Sequence, residues 1–546
     1  MLTATRFIIL ALINCVFGAT APQVGTGVPR ANNTQTQMVE RLVHLAPPGA
    51  HDSRYAYVPF EVPPHVLRIS ISYHYERANG ANTIDIGLFD ERSTSSDTDP
   101  QGFRGWRGGR RSELFISRDE ATPGYLPGEM SAGTWRIILG LYRVAPAGVD
   151  VSCKIEIETD ENRSASPTPA PRKTKISPDS ATTVSTSENS TRPTSALHQK
   201  VAGHKFRWWH GDLHMHTVHS DGDWTVAELV SGARNVGLDF ICITDHNTAS
   251  HHAEIDRFHH PSRDARLGTP VRAGSQHPLV LRGEEITTYG GHANAWGLTS
   301  GAWIDFRSHP GDTARISNIA AQAHRSGALI SINHPFALCG GCAWSYDAAA
   351  RDFDAIEVWN GAWDQTDEQA LTMWDKVLQS GRHITAIASS DSHRAINPIG
   401  QPTSQVAAKG LSQRALLDAI SQGRVYLTSD VARPVVTFEA EATGERHSRW
   451  IIGDEVLLSV PDTLRFLVTT QDTPADATIS LISNGQVIRS LPTKTDGQPQ
   501  VIEIDCQHNS YFRLEVRDGT KAVLALTNPI YVKIGRGLPT SSALAR

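Results

Sequence analysis

Five short strings of histidine and carboxylate residues recur between Gly211 and His393, and four of them follow a short apolar run that reads as a buried strand. They are GDLHMHTVHSDG, ICITDHN, LRGEEITTYGGHANAWG, ISINHP and AIASSDSH. Burying a polar group without a partner costs roughly 2–7 kcal/mol, so a fold that accepts this chain must bring these strand ends to one place and satisfy them there. An α/β architecture whose strands aim their carboxyl ends at a common mouth meets that demand.

The segments between the strings support this reading. Thr225-x-x-Glu228 forms a capping box opening a helix with Val226, Leu229, Val230 and Ala233 on its apolar face, and Gly237 lets the chain turn into the strand DFICIT. Ile316, Ile319, Ala320 and Ala323 repeat the pattern before Gly327, as do Leu371, Trp374, Val377 and Leu378 before Gly381. Strand, helix and glycine stop in alternation predict parallel α/β units over residues 204–430, with about seven strands. Residues 38–160 and 431–546 instead carry short alternating segments such as LRISISYHY and TLRFLVTT, with Asn484-Gly485 as a hairpin signal, and predict an N-terminal and a C-terminal β-sandwich. Residues 161–203, dense in Ser, Thr and Pro, cannot bury enough apolar surface to offset chain entropy and predict a disordered linker.

Residues 1–21 have the form of a signal peptide, with Arg6 ahead of FIILALINCVFG and Ala19-Thr20-Ala21 as a small-x-small site. The expected destination is the periplasm or the cell exterior. No other stretch is apolar enough to cross a bilayer, and a net charge of -6 argues against a nucleic-acid polymer as partner. Removal of the leader takes Cys15 with it and leaves five of six cysteines, so at least one thiol is free or intermolecular. Cys339-Gly-Gly-Cys342 predicts a local disulfide, ahead of a reduced pair or a metal knuckle. Arg104, Arg107, Arg110 and Arg111, in FRGWRGGRRSE, are expected to form a solvated glycine-rich loop.

The chemistry lies in the strings. His214 and His216 stand two apart on a strand, so their imidazoles leave one face with Cα atoms about 7 Å apart. Alone that is weak evidence for a metal; followed by Asp221 and by Asp245-His246 it becomes strong. Glu285, favoured over Glu284, is placed to bridge two ions, and His292, His334, Asp391 and His393 complete a set of nine. Asp245 is expected to orient its neighbours. Nitrogen and oxygen ligands without thiolate suit zinc, manganese or iron, and nine of them suffice for three ions with open positions. His219 and Arg394 are candidates for substrate contact, with ordinary loop roles as the alternative. Trp296, Trp344, Trp359 and Trp363 could line an aromatic pocket, or pack in the core.

These strings resemble the motifs of the PHP (polymerase and histidinol phosphatase) superfamily and, within it, the exported CehA/McbA-type metallohydrolases. GWRGGRRSELFIS and ATPGYLPGEMSAGTWRIILG also resemble the amino-terminal β domain of that group. The resemblance implies a distorted (β/α)7 PHP barrel flanked by two β-sandwiches and holding three divalent metal ions. His214, His216, Glu285 and Asp391 would hold the first, Glu285, His292 and His334 the second, and Asp221, His246 and His393 the third. Asp221 stands where some relatives have histidine, and the CxxC after NHP departs from the short phosphatases. A hydroxide bridging the first two ions would attack a small-molecule phosphate mono- or diester. A carbamate or carboxylic ester is the alternative substrate for the same centre, and a non-catalytic surface binding module is the alternative of a different class. The general acid, the natural substrate and the oligomeric state stay open.

Overall fold

A computed structural model describes residues 34–49, 52–160, 205–259, 277–346, 351–431, 433–442, 448–494 and 497–535. The segments read as signal peptide and linker lie outside the described residues.

The centre of the molecule is a run of nine strands within a larger sheet. They are β1 (Arg207–Asp212), β2 (Phe240–Ile243), β3 (Leu279–Thr288), β4 (Gly291–Trp296), β5 (Leu329–Asn333), β6 (Ala355–Asn360), β7 (Thr385–Ser389), β8 (Thr403–Ala408) and β9 (Val425–Thr428). Their spatial order is β7-β6-β5-β4-β3-β2-β1-β8-β9. β1, β2 and β3 are mutually parallel, as are β5, β6 and β7. Every residue of β2 and β7 is buried, which explains why these strands read as unbroken apolar or small-residue runs rather than as alternation.

Helix α1 (Val226–Val236) begins at the Thr225–Glu228 capping box and stops at Gly237, whose φ of 92° needs a residue without a Cβ. The buried faces of α1, of Thr313–Arg325 and of Gln365–Gln379 contain the residues their spacing predicts. The alternation of parallel units is broken in two places, one of them at β8, which runs antiparallel to both of its neighbours, β1 and β9. β3 and β4 form an antiparallel hairpin, with Thr288 opposite Gly291, because two intervening residues cannot hold a helix. At the far side β7 meets β8 through side chains: Ser404 Oγ accepts from Ala388 N and donates to Ala388 O, and Asn528 bonds both backbone groups of Ala386.

Ahead of this sheet lie two four-stranded antiparallel sheets. One is formed by Thr34–Leu45, Val149–Asp160, Val66–Tyr75 and Glu113–Ser117, the other by Tyr55–Val62, Gly133–Arg143, Thr83–Phe89 and Phe103–Trp106. Their inward residues, among them Ile69, Trp135 and Ile155, make one core. After it, β9 pairs antiparallel with Val523–Thr527, which pairs in turn with Ser510–Arg517, so the C-terminal β layer continues the central sheet. A four-stranded sheet containing Val435–Ala442 and Asp462–Gln471 completes it, with Phe438, Phe466 and Phe512 in the shared core. Among the described residues no helix is long and apolar enough to cross a membrane.

Candidate metal centre

The carboxyl ends of the parallel strands carry the donor groups. His214 and His216 follow β1, His246 follows β2, His334 follows β5, and Asp391 and His393 follow β7, while Glu285 and His292 stand on the two arms of the β3–β4 hairpin. Backbone bonds continue past the strands and fix these segments: His216 N donates to Ser392 O at 3.0 Å, and Thr244 N donates to Met215 O at 2.9 Å. Met215 is buried in a separate apolar cluster with Leu229, leaving the flanking imidazoles with ring centroids 5.1 Å apart.

Glu285 sits in the middle. Its Oε1 lies 3.3 Å from His214 Nε2 and 3.2 Å from both His292 Nδ1 and His334 Nε2. Its Oε2 lies 2.8 Å from His246 Nδ1 and 3.4 Å from His216 Nε2. Asp391 Oδ1 approaches His214 Nε2 at 3.3 Å and His216 Nε2 at 3.1 Å, and Asp221 Oδ1 approaches His393 Nε2 at 3.1 Å and His246 Nε2 at 3.4 Å. Three groups of donor atoms result, each within 4.8 Å: His216, Asp221, His246 and His393; His214, His216 and Asp391; His214, Glu285 and His334. Compared with the sets the resemblance implies, His216 joins the Asp221 group as well, and His292 touches Glu285 without entering a group.

A cation fits this arrangement. His214 Nε2, His216 Nε2, Asp221 Oδ1 and Asp391 Oδ1 are buried and make no hydrogen bond. Leaving each bare costs about 1–3 kcal/mol, a loss that a divalent ion bound among them removes. Burial and the neighbouring His393 and His246 push His216 down to about 4, which keeps its lone pair available. Burial opposes ionisation of Glu285, yet His214, His246 and His292 hold it well below the usual carboxylate range. His334 and Asp391 have φ values of 23° and 50°, a left-handed conformation that costs about 1–3 kcal/mol per residue and marks constrained sites.

One supporting residue escapes sequence reasoning. Glu357, fully buried on β6, receives His214 Nδ1 at 3.0 Å on one oxygen and the His334 backbone N–H at 3.0 Å on the other. A carboxylate on the far nitrogen of a metal-binding histidine fixes its tautomer and raises its basicity. The available signal was a lone carboxylate inside the apolar run AIEVWN. Asp245 accepts from Thr217 N, Thr217 Oγ1 and Ser220 Oγ at 2.7, 2.6 and 2.6 Å, so it holds the turn that carries Asp221. Glu284 has a different environment, its Oε2 accepting from Ile304 N.

The donors open onto a cavity of about 420 Å³, lined by every one of the nine except His214 and His216. The opposite wall comes from the N-terminal sandwich, through Asp85, Trp106, Tyr142 and the run Arg107–Arg110. This corrects half of the expectation for FRGWRGGRRSE, since Arg110 and Arg111 are exposed as expected. Arg104 and Arg107 are buried, because the strand Phe103–Trp106 anchors the segment in a sheet. Cys339 and Cys342, on the rim, form the disulfide that the sequence predicts, and Cys153, Cys242 and Cys506 are free and buried. Asp85 Oδ2 accepts from the Tyr289 hydroxyl at 2.7 Å, and burial pushes its carboxyl up to about 7.

His219 does not reach this cavity. Its ring is spent on Ser250 Oγ at 2.8 Å and Glu254 Oε1 at 3.1 Å. Arg394 is half-exposed, 3.9 Å from Asp223, and also lies outside the lining. The four tryptophans near the motifs pack internally: Trp296 Nε1 donates to Leu213 O, Trp359 meets Trp363 edge-on, and Trp344 packs on Phe353.

Residues 212–359 match the family model of the PHP domain. The likeness to the PHP domain lies in that stretch, which holds seven of the nine donor-type residues on strands β1 to β5 and the segments after them. The match stops short of Asp391 and His393, which the fold brings to the PHP site from β7. None of the curated proteins matches the chain. Among solved structures, it is similar to a two-domain protein of Bacteroides vulgatus containing a predicted PHP-like metal-dependent phosphoesterase, at 18% identity and a TM-score of 0.34, covering 63% of this chain and 100% of that one. It is also similar to PsfC of Pseudomonas syringae, at 17% identity and a TM-score of 0.28, covering 37% and 83%. A third likeness is an amidohydrolase of Chromobacterium violaceum with bound sulfate and no metal, at 16% identity and a TM-score of 0.24, covering 35% and 90%. The PHP domain and its three donor groups make the protein a metal-dependent hydrolase.

Proposed function

We propose that the protein hydrolyses small phosphate mono- or diesters at a centre of three divalent ions. The observation that carries this reading is the convergence of unpartnered donor atoms of His214, His216, Asp221 and Asp391 around Glu285 at the base of a cleft. In this reading His214, His216, Glu285 and Asp391 hold one ion, Glu285, His292 and His334 a second, and Asp221, His246 and His393 a third, with His216 shared. The ions, zinc, manganese or iron, supply Lewis acidity and a nucleophile near neutral pH. The chain's own residues prepare that centre. Glu357 keeps a proton on His214 Nδ1 so that Nε2 faces inward, and Asp245 holds the turn before Asp221.

The same reading takes the central sheet as a distorted (β/α)7 barrel of the CehA/McbA type over residues 204–430, with sandwich domains at 38–160 and 431–546. It places the protein outside the cytoplasm, in the periplasm or beyond, which the Cys339–Cys342 disulfide supports. Metal content per chain, measured by elemental mass spectrometry, tests the centre: near three equivalents are expected, falling in His214→Ala. Aryl phosphates and nucleotides should then be turned over by the loaded enzyme. One ion or none, or turnover of aryl carbamates with phosphate esters untouched, would overturn the proposal.

A further inference from the structure

Among the described residues the lining of the cleft has two arginines and no lysine, and both arginines belong to the N-terminal sandwich. Arg110 is paired with Asp223. Arg107 is different. It is 4% exposed, its Nη1 donates to Pro123 O, its Nε has no partner, and among the described residues no carboxylate lies within ion-pair distance. Burial pulls the guanidinium down to about 10, so it remains a cation at neutral pH.

Its position is also fixed relative to the metal centre. A Cβ on Gly105 would collide with Gly124 and Tyr125, so the segment before Arg107 lies hard against that loop. Gly124 N donates to Ser250 Oγ at 3.0 Å, and Gly124 O accepts from Thr248 Oγ1 at 2.9 Å, tying the loop to the segment that follows His246. Asp245 acts on this guanidinium only at a distance, with no hydrogen bond between them, so a buried charge that costs several kcal/mol to desolvate still lacks a direct ion-pair partner, which an anion in the cleft would supply.

We propose that Arg107 binds an oxyanion of the substrate, so that the N-terminal sandwich forms part of the substrate site and selects esters that carry negative charge at that wall. A guanidinium suits a phosphoryl or carboxylate group because its planar fork donates two parallel hydrogen bonds. The proposal rests on the hydrolase reading of the cleft, but the binding of an anion can be measured without turnover.

The test uses the full chain as wild type, Arg107→Met and Arg107→Lys, each checked for an unchanged thermal transition. Inorganic phosphate binding is measured by calorimetry on chelator-treated and metal-loaded protein. In both states the phosphate Kd should rise at least tenfold in Arg107→Met. Arg107→Lys keeps the charge and loses the fork, and should show a rise of at least threefold, which keeps the test readable if the methionine variant does not fold. Kinetics then locate the anion. A tenfold greater loss of kcat/KM with aryl phosphomonoesters than with neutral aryl esters assigns the phosphoryl oxygen; the same excess confined to substrates with a second, remote carboxylate assigns the leaving portion. An unchanged phosphate Kd in folded variants, or equal losses with neutral and anionic esters, overturns the proposal. Absence of any ester turnover sinks the hydrolase reading and leaves the phosphate arm to decide this one.

Discussion

The two flanking β regions are made of the same kind of short alternating strand, yet they join the central sheet in different ways. The C-terminal region joins edge to edge, through the β9 ladder with Val523–Thr527 and through Arg513 and Arg517, which bond Asp375 and Glu368 on Gln365–Gln379. The N-terminal sandwich joins across a face. Arg307, fully buried, donates to Tyr57 Oη at 2.7 Å, Ser96 O at 2.8 Å and Asp99 O at 2.6 Å while its other bonds go to Asp305. Asp85, Arg107 and Arg110 of that same sandwich stand in the wall of the cleft. An edge attachment extends a scaffold, whereas a face attachment encloses space, and only the enclosed space can meet a substrate.

The largest way to break this contrast is Arg307→Met. It leaves the buried Asp305 with Arg315 alone and removes three hydrogen bonds to the sandwich, so stability should fall by about 3–5 kcal/mol and kcat/KM should fall with it. Retained activity in the folded fraction would mean the face attachment does not shape the cleft. Arg513→Met is the matching change on the other flank. Loss of its charged hydrogen bonds to Asp375 should cost about 2–3 kcal/mol in denaturant melts, with kcat/KM of the folded protein within about twofold of wild type. A large kinetic defect there would erase the distinction.

Glu357→Gln touches neither flank and calibrates both. It removes the negative charge on His214 Nδ1 and should weaken metal affinity by about 10–100-fold in chelator competition, with little change in melting of the metal-free protein. The smallest expected effect concerns Asp85. Burial lifts its carboxyl to about 7, so the folded state keeps a proton that the unfolded chain releases near its usual pKa of about 3.9. Its contribution to stability is therefore greatest below that window and is lost as pH rises through about 7. Asp85→Asn keeps an acceptor for Tyr289 and should gain on wild type in thermal melts as pH goes from 5 to 8; a difference constant across that range would count against the buried-acid assignment.

The convergence of these nine side chains was legible because each lies in a local string on or beside a strand, and because a strand period of two places His214 and His216 on one side. Glu357 was not, since a carboxylate flanked by Ile356 and Val358 has no neighbour of ligand type to betray it. Arg107 was misread for a physical reason: glycines beside arginines describe a solvated loop just as well, and only the close approach of Gly105 to Tyr125, distant in the sequence, buries the segment. The β3–β4 hairpin could have been read from Tyr289-Gly290-Gly291, where the chain has no room for a crossover.

Asn528 gives the edge attachment a consequence in time. Its side chain donates to Val425 O, 103 positions earlier, and to Ala386 O, 142 positions earlier. A chain emerging from the ribosome will have made every donor residue of the three groups long before the residues that close this join exist. Until then β9 offers an open strand edge, the kind of surface on which nascent chains pair wrongly, and closure over so long an intervening segment is slow. The protein's yield, as distinct from its stability once folded, should therefore be governed by how well that edge is shielded during synthesis.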